Sequence, residues 1–143
     1  MEAKQRVALV TGAAGGVGQS TVEKLAAEGC IVIGTDIRAI DGTPPEGVIY
    51  RQHDVTSEGD WQSLATWLEE EYGRLDILVN NAGIVTKLAM EDDDDVLLSS
   101  YHETMAVNLH APLRLMRLAH RHMKSTTPSS SMDDDGRSSR RRR

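Results

Sequence analysis

The segment VALVTGAAGGVGQS, residues 7–20, carries four glycines directly after an apolar run. A strand, a glycine-rich turn and a helix start, in that order, make a site for an anion. The first N–H groups of a helix have no partner within it, point outward and lie at the positive end of its dipole. Glycines allow a close approach that a Cβ would block. Gly12, Gly16 and Gly18 are spaced G-x-x-x-G-x-G, with alanine at position 14, which departs from the G-x-G-x-x-G pattern. Read alone, the run is also compatible with a tight turn that holds nothing.

Eighteen residues beyond Gly18, Asp36 closes a second apolar run, CIVIGTD. A carboxylate there accepts hydrogen bonds from both hydroxyls of the adenosine ribose of NAD and repels the extra phosphate of NADP. Gly15 offers that phosphate no basic side chain, and Arg38 is the one residue that softens the preference. NAD is therefore the expected cofactor, with NADP less favoured. NNAG at 80–83 ends a further apolar run, LDILVNNAG, where open α/β sheets bind ligands. Alone, it reads equally as a strand-ending turn. Pro112 lacks an N–H, so the carbonyl of Asn108, four residues earlier, loses its helical partner and is offered to water. A simple kink in a packing helix has the same signature.

Hydrophobic periodicity supplies the elements that must position these residues. RVALVT (6–11) reads as a buried strand and Val17–Glu28 as a helix, with Val17, Thr21, Leu25 and Ala26 on one side and Gly29 as its stop. CIVIGTD and VIYRQHDV are strands, separated by the turn-rich IRAIDGTPPEG. Within TSEGDWQSLATWLEEEYG, Ser57 and Asp60 have capping-box spacing, and Trp61, Leu64, Ala65, Leu68 and Tyr72 form a helical stripe. LDILVNNAG is a fourth strand. A long helix is expected from near Ser99 or Ser100, with Met105, Leu109, Leu113 and Met116 as its apolar face. The order β-α-β-β-α-β, with strands too apolar for a wet face, belongs to an α/β open parallel sheet covered on both sides.

Taken together, TGAAGGVG at 11–18, Asp36, HDVT at 53–56, NNAG at 80–83 and Asn108 resemble the short-chain dehydrogenase/reductase family, over residues 6 to about 123. The resemblance implies a Rossmann-like doubly wound sheet in the order 3-2-1-4, incomplete here. It implies a dinucleotide-binding domain over residues 1–123, the N-terminal half of such an enzyme. Gly12, Gly16, Val17 and Gly18 would form the pyrophosphate and nicotinamide side of the cofactor site. Asp36 and Ile37 would flank the adenosine ribose, Asp54 and Val55 the adenine, and Asn81, Ala82 and Gly83 the sheet crevice. Asn108 would help hold a water in a proton relay. The implied chemistry is hydride transfer between a nicotinamide and a small alcohol or carbonyl substrate. That chemistry also needs a serine and a Tyr-x-x-x-Lys pair, in which the ammonium favours tyrosinate. Here Tyr50, Tyr72 and Tyr101 are followed at that spacing by Asp54, Asp76 and Met105. The chain is therefore expected to be a fragment, inactive alone, that takes a substrate only in a full-length form. The alternative is a catalytically empty NAD-binding or interaction module. Without a fifth strand, the fourth is expected to leave an open edge. Poor stability as a monomer and self-association through that edge or the long helix would follow.

The net charge of −6 is a balance of −9 over residues 1–123 and +3 over the rest. An acidic body argues against nucleic acid as a partner. No apolar run approaches the ~20 residues needed to cross a bilayer, so no membrane role is expected. One cysteine, Cys30, excludes a disulfide framework and a thiolate metal site, and with no signal-peptide pattern points to the cytoplasm. EDDDD at 91–95 reads as a solvated acidic stretch near a helix start. His120 and His122 fall on different helix faces, and His53, His102 and His110 are expected at surface or supporting positions, so no metal site is expected. Residues 124–143 are Ser-, Asp- and Arg-rich without periodicity and are expected to be disordered. Their abrupt change of character suggests an out-of-frame or truncated reading of a longer gene.

Overall fold

The computed structural model describes residues 5–124, so the expected disordered tail lies outside the described residues except for Lys124. At the centre is β1 (Val7–Thr11), all five residues of which are buried. It pairs in parallel with β2 (Ile31–Asp36) from Val7↔Ile31 to Thr11↔Thr35, and with β4 (Ile77–Val79) from Ala8↔Ile77 to Val10↔Val79. β3 (Val48–Gln52) pairs in parallel with β2, which gives the expected strand order β3-β2-β1-β4. The fold is Rossmann-like. Among the described residues β4 is an edge, only three residues long and half-buried.

Alternation along β1 explains why both faces are covered. Val7 and Leu9 point to one side, packing with Ile33, Trp61, Leu64, Leu68, Leu115 and Ala119. Ala8 and Val10 point to the other, packing with Val22, Cys30, Val32 and Val48. The first layer comes from α2 (Glu58–Glu71) and α4 (Ala111–Lys124), the second from α1 (Gly16–Ala27). At the amino ends, the Asp76 carboxylate accepts from the Val7 backbone N–H at 2.8 Å and pairs with Arg74, tying β1 to the segment entering β4.

Three local expectations need correction. Val17 is 74% exposed, and α1 buries Gly18 and Val22 instead. Tertiary contact with the sheet, not the apolar count of the turn, selects that face. Ser57 caps α2 by accepting from Asp60 N–H at 3.2 Å, but the Asp60 carboxylate accepts from Asp54 N–H at 2.8 Å. Only half of a capping box forms. The third concerns the long helix, which begins earlier than expected, as α3 (Asp94–Met105) with Asp94 and Asp95 in its first turn. Acidic side chains suit that positive helix end. The helix then passes through a π-helical segment (Ala106–His110) into α4. The π turn directly precedes Pro112, which cannot donate to Asn108, so the helix widens where a hydrogen bond is missing. α4 buries Ala111, Leu115 and Ala119, while Leu109, Leu113 and Met116 stay about half exposed. Two alanines let the helix backbone approach the sheet closely, and the bulkier stripe is left outside.

Candidate functional site

All four strands run the same way, so their carboxyl ends meet at one edge of the sheet. The turn after β1, the Asp36–Arg38 corner after β2, residues 53–56 after β3 and residues 81–84 after β4 line one cleft of about 620 Å³ there. Of the residues picked from sequence, Gly12, Asp36, Ile37, Asp54, Val55, Asn81, Ala82 and Gly83 line it. Gly16 and Val17 border a shallow surface beside α1, and Gly18 is buried beneath the turn. Asn108 lies just behind the cleft wall. Its Oδ1 accepts from Ile84 N–H at 2.9 Å and its Nδ2 donates to Ile84 O at 2.8 Å. The side chain is thus spent on clamping the loop after β4.

The glycine turn and the NNAG segment interlock. Thr11 Oγ1 accepts from Asn81 N–H at 3.1 Å and Ala82 N–H at 3.0 Å, and Asn81 Nδ2 donates to Thr11 O and Gly12 O, each at 3.0 Å. Gly12 has φ +68°, and a Cβ there would lie 2.8 Å from Asn81 Nδ2. Two of the glycines are therefore explained by crowding within the protein: Gly12, and Gly18 packed against the Gly12 carbonyl. Gly15 and Gly16 leave open space: a Cβ at Gly15 would meet only Arg38 Nη2, at 3.9 Å, and one at Gly16, where φ is +56°, would meet nothing within 4 Å. The N-terminus of α1 has no side-chain cap and no acidic residue in its first turn, whereas α2 and α3 carry acidic first turns. The positive end of α1 is therefore not matched by any side chain of the helix itself.

Asp36 is the charged group of the cleft nearest the glycine turn, bonded to the Ala14 N–H. Its Oδ2 accepts from Ala14 N–H at 3.0 Å, and its Oδ1 from Arg38 N–H at 3.0 Å and Arg38 Nε at 3.2 Å. Burial works against its ionisation, but the hydrogen bonds from Arg38 and Ala14 outweigh it and hold the carboxyl below its usual range. Tyr50 and Tyr72 go the other way: burial, reinforced by Glu23 and Glu71 respectively, raises both phenols. Neither is tuned toward phenolate.

His53 was expected at a surface or supporting position, and the surface reading is wrong. It is 3% exposed, with its ring edge-to-face with Trp61 at 4.9 Å and no hydrogen-bond partner for either ring nitrogen among the described residues. Thr56, Ile84, Glu103, Ala106 and Val107 also line the cleft without having been picked. Only His53 and Thr56 had a signal, as neighbours of Asp54 and Val55 in HDVT. Burial depresses the His53 pKa, Arg51 adds to this, and Asp60 and Asp54 oppose it. The unfolded chain therefore takes up a proton near pH ~6.5 that the folded chain refuses. Stability should fall as pH drops from 7 toward 5, by no more than about 1.4 kcal/mol per pH unit from this group. Denaturant midpoints across that range should show the slope in the wild type and lose it in His53→Leu. An unchanged slope in the variant would assign it to another group. Asp36 and Asp60, whose folded pKa values are depressed, act lower, their stabilisation being lost as pH falls below ~4.

A parallel 3-2-1-4 sheet with a glycine turn under one end and an acidic residue ending the second strand defines the Rossmann class of nucleotide-binding folds. The short chain dehydrogenase family model matches residues 6–131, and the chain belongs to that family. It is 41% identical over 91 residues to the 3-beta-hydroxysteroid dehydrogenase of Comamonas testosteroni, covering 60% of this chain and 36% of that one. A short-chain dehydrogenase structure from Streptomyces avermitilis superposes with a TM-score of 0.76 at 31% identity, covering 87% of this chain and 46% of its own. One from Leptospira borgpetersenii, solved with bound NAD+, gives 0.75 at 26% identity, covering 85% and 47%. The chain thus spans about half the length of these solved relatives.

Proposed function

We propose that this chain is the dinucleotide-binding half of an NAD(P)-dependent oxidoreductase acting on a small alcohol or carbonyl substrate. The observation that carries the reading is the meeting of Asp36, the uncapped α1 N-terminus and the Asn81–Gly83 strand end on one cleft. When bound, the nicotinamide supplies the hydride chemistry. The chain's own residues bind and orient. Gly12, Gly16, Val17 and Gly18 would hold the pyrophosphate and nicotinamide side, with space over Gly15 for the anion. Asp36 and Ile37 would take the adenosine ribose, Asp54 and Val55 the adenine. Asn81, Ala82 and Gly83 would border the crevice. Asn108 would offer a water its main-chain carbonyl, since Pro112 cannot use it. The Asp36 carboxylate favours NAD over NADP. The lone, buried Cys30 fits a reducing, cytoplasmic setting.

Hydride transfer also needs an acid/base, and no tyrosine of these 143 residues has a lysine four positions on. We infer that this chain alone binds the dinucleotide without turning it over. The half-exposed face of Leu109, Leu113 and Met116 favours a second reading, a catalytically empty NAD-binding or interaction module. Neither reading expects turnover from this chain alone, so turnover of NADH with a carbonyl substrate by a full-length form that contains this segment separates the two.

Binding is tested by melting the chain with and without NADH. A ligand at 100 times its Kd stabilises by about 2.7 kcal/mol, which is a rise of several degrees for a domain of this size. Asp36→Ala should melt without any NADH-dependent rise, each protein being compared with its own ligand-free melt. A rise that survives in the variant would remove Asp36 from the site.

A further inference from the structure

The loop after β3 is held from behind by the first turn of α2. Asp54 and Val55 line the cleft; Asp60 and Trp61 do not, yet both reach the main chain of the loop. Asp60 Oδ2 accepts from Asp54 N–H at 2.8 Å, and the buried Trp61 indole donates through Nε1 to Val55 O at 2.7 Å. Between these two bonds, Asp54 O accepts from Ser57 N–H at 3.0 Å. Three consecutive peptide planes are therefore fixed by α2 and its cap.

A trans peptide is planar, with its C=O and N–H on opposite sides. The plane whose carbonyl meets Ser57 thus aims the Val55 N–H the other way. Asp60 and Trp61 grip the planes on either side of it and stop it from turning. Asp54 Oδ1 is occupied by the Thr56 N–H at 2.8 Å and the Thr56 hydroxyl at 2.7 Å. Asp54 Oδ2 and the Val55 N–H have no hydrogen-bond partner among the described residues. The loop is left with one acceptor and one donor, on consecutive residues. Adenine presents the complement, an amino donor beside a ring-nitrogen acceptor.

We propose that Asp60 and Trp61, outside the cleft, are positioning residues that set its base selectivity. They hold the main chain of Asp54 and Val55 in the one arrangement whose unspent groups match adenine. This rests on the adenine placement above and adds the residues that enforce it.

The test is calorimetric titration of the full 143-residue chain with NADH and with its hypoxanthine analogue, which carries oxygen in place of the adenine amino group. Wild type should bind NADH at least about tenfold more tightly than the analogue. Trp61→Phe removes the indole N–H and keeps an aromatic ring beside His53. Asp60→Ala removes the carboxylate and keeps the Ser57 cap, which uses the main-chain N–H at position 60. Each should weaken NADH and bring the two dinucleotides within about threefold of each other. Asp60→Asn, whose amide oxygen can still accept from the Asp54 N–H, should keep the wild-type ratio. A loss of stability alone would lower both affinities together and leave their ratio unchanged. Should Trp61→Phe not fold, Asp60→Ala against Asp60→Asn decides alone. Folded variants that retain the wild-type ratio overturn the proposal and leave the adenine placement standing. So does an Asp60→Asn protein that loses the ratio as fully as Asp60→Ala. Equal binding of the two dinucleotides by wild type, or no binding of either, overturns the adenine placement and the proposal with it.

Discussion

Gly18→Ala should cost about 3 kcal/mol or more, at or above the upper end of ordinary overpacking, and should abolish NADH binding. A Cβ at position 18 points into the Gly12 carbonyl oxygen and lies 2.6 Å from Asn81 Nδ2. Neither neighbour can step aside. The Gly12 oxygen is backbone, and Asn81 Nδ2 is held by Thr11 O and Gly12 O. Relief requires α1 to move away from the turn, which pulls its N–H groups out of the cleft. Gly15→Ala is the matched control: its φ of 175° is extended backbone, and the space around its Cβ is open. That variant should stay within about 0.5 kcal/mol of wild type in stability. Denaturant unfolding of the two proteins checks the contrast. Equal stability of Gly18→Ala and wild type would mean that helix and turn are less closely packed than described.

Leu9→Ala should destabilise by about 2–5 kcal/mol, a large part of the 5–15 kcal/mol that holds a typical domain together. Leu9 is fully buried at the centre of β1, in the layer that includes Ile33, Trp61, Leu64, Leu68 and Leu115. Those residues sit on a strand and two helices already in contact, so the space left cannot close. Leu113→Ala removes the same atoms from a half-exposed position on the outer face of α4, where about 0.5 kcal/mol is expected. Chemical denaturation of both variants measures the difference. Comparable losses would show that the outer face of α4 is covered in solution.

Much of the fold is legible in local pattern. Every strand and helix expected over residues 6–83 is present, because β-branched runs and the Trp61–Leu64–Leu68 stripe carry their periodicity in adjacent residues. The long helix is where the pattern misleads. Leu109, Leu113 and Met116 repeat at helical spacing as regularly as Ala111, Leu115 and Ala119 do, and they are the more apolar set. Burial went to the alanines because helix-to-sheet distance rewards small side chains, and no spacing rule contains that distance.

The cleft divides in the same way. Glycine spacing, an acidic residue ending the second apolar run and NNAG after the fourth are properties of the chain itself, and they determined which segments meet at the strand ends. Parallel strands all finish on one edge, so those segments converge once the sheet forms. The tertiary structure alone decided that Arg38 turns back on Asp36, that Asn81 threads between Thr11 and Gly12, and that His53 is buried against Trp61 with no hydrogen-bond partner among the described residues. Local periodicity constrains neighbours a few residues apart. The Asn81 contacts and the burial of His53 depend on separations set by strand register and helix packing, and Arg38 folds back over an opening that Gly15, 23 residues earlier, leaves uncovered.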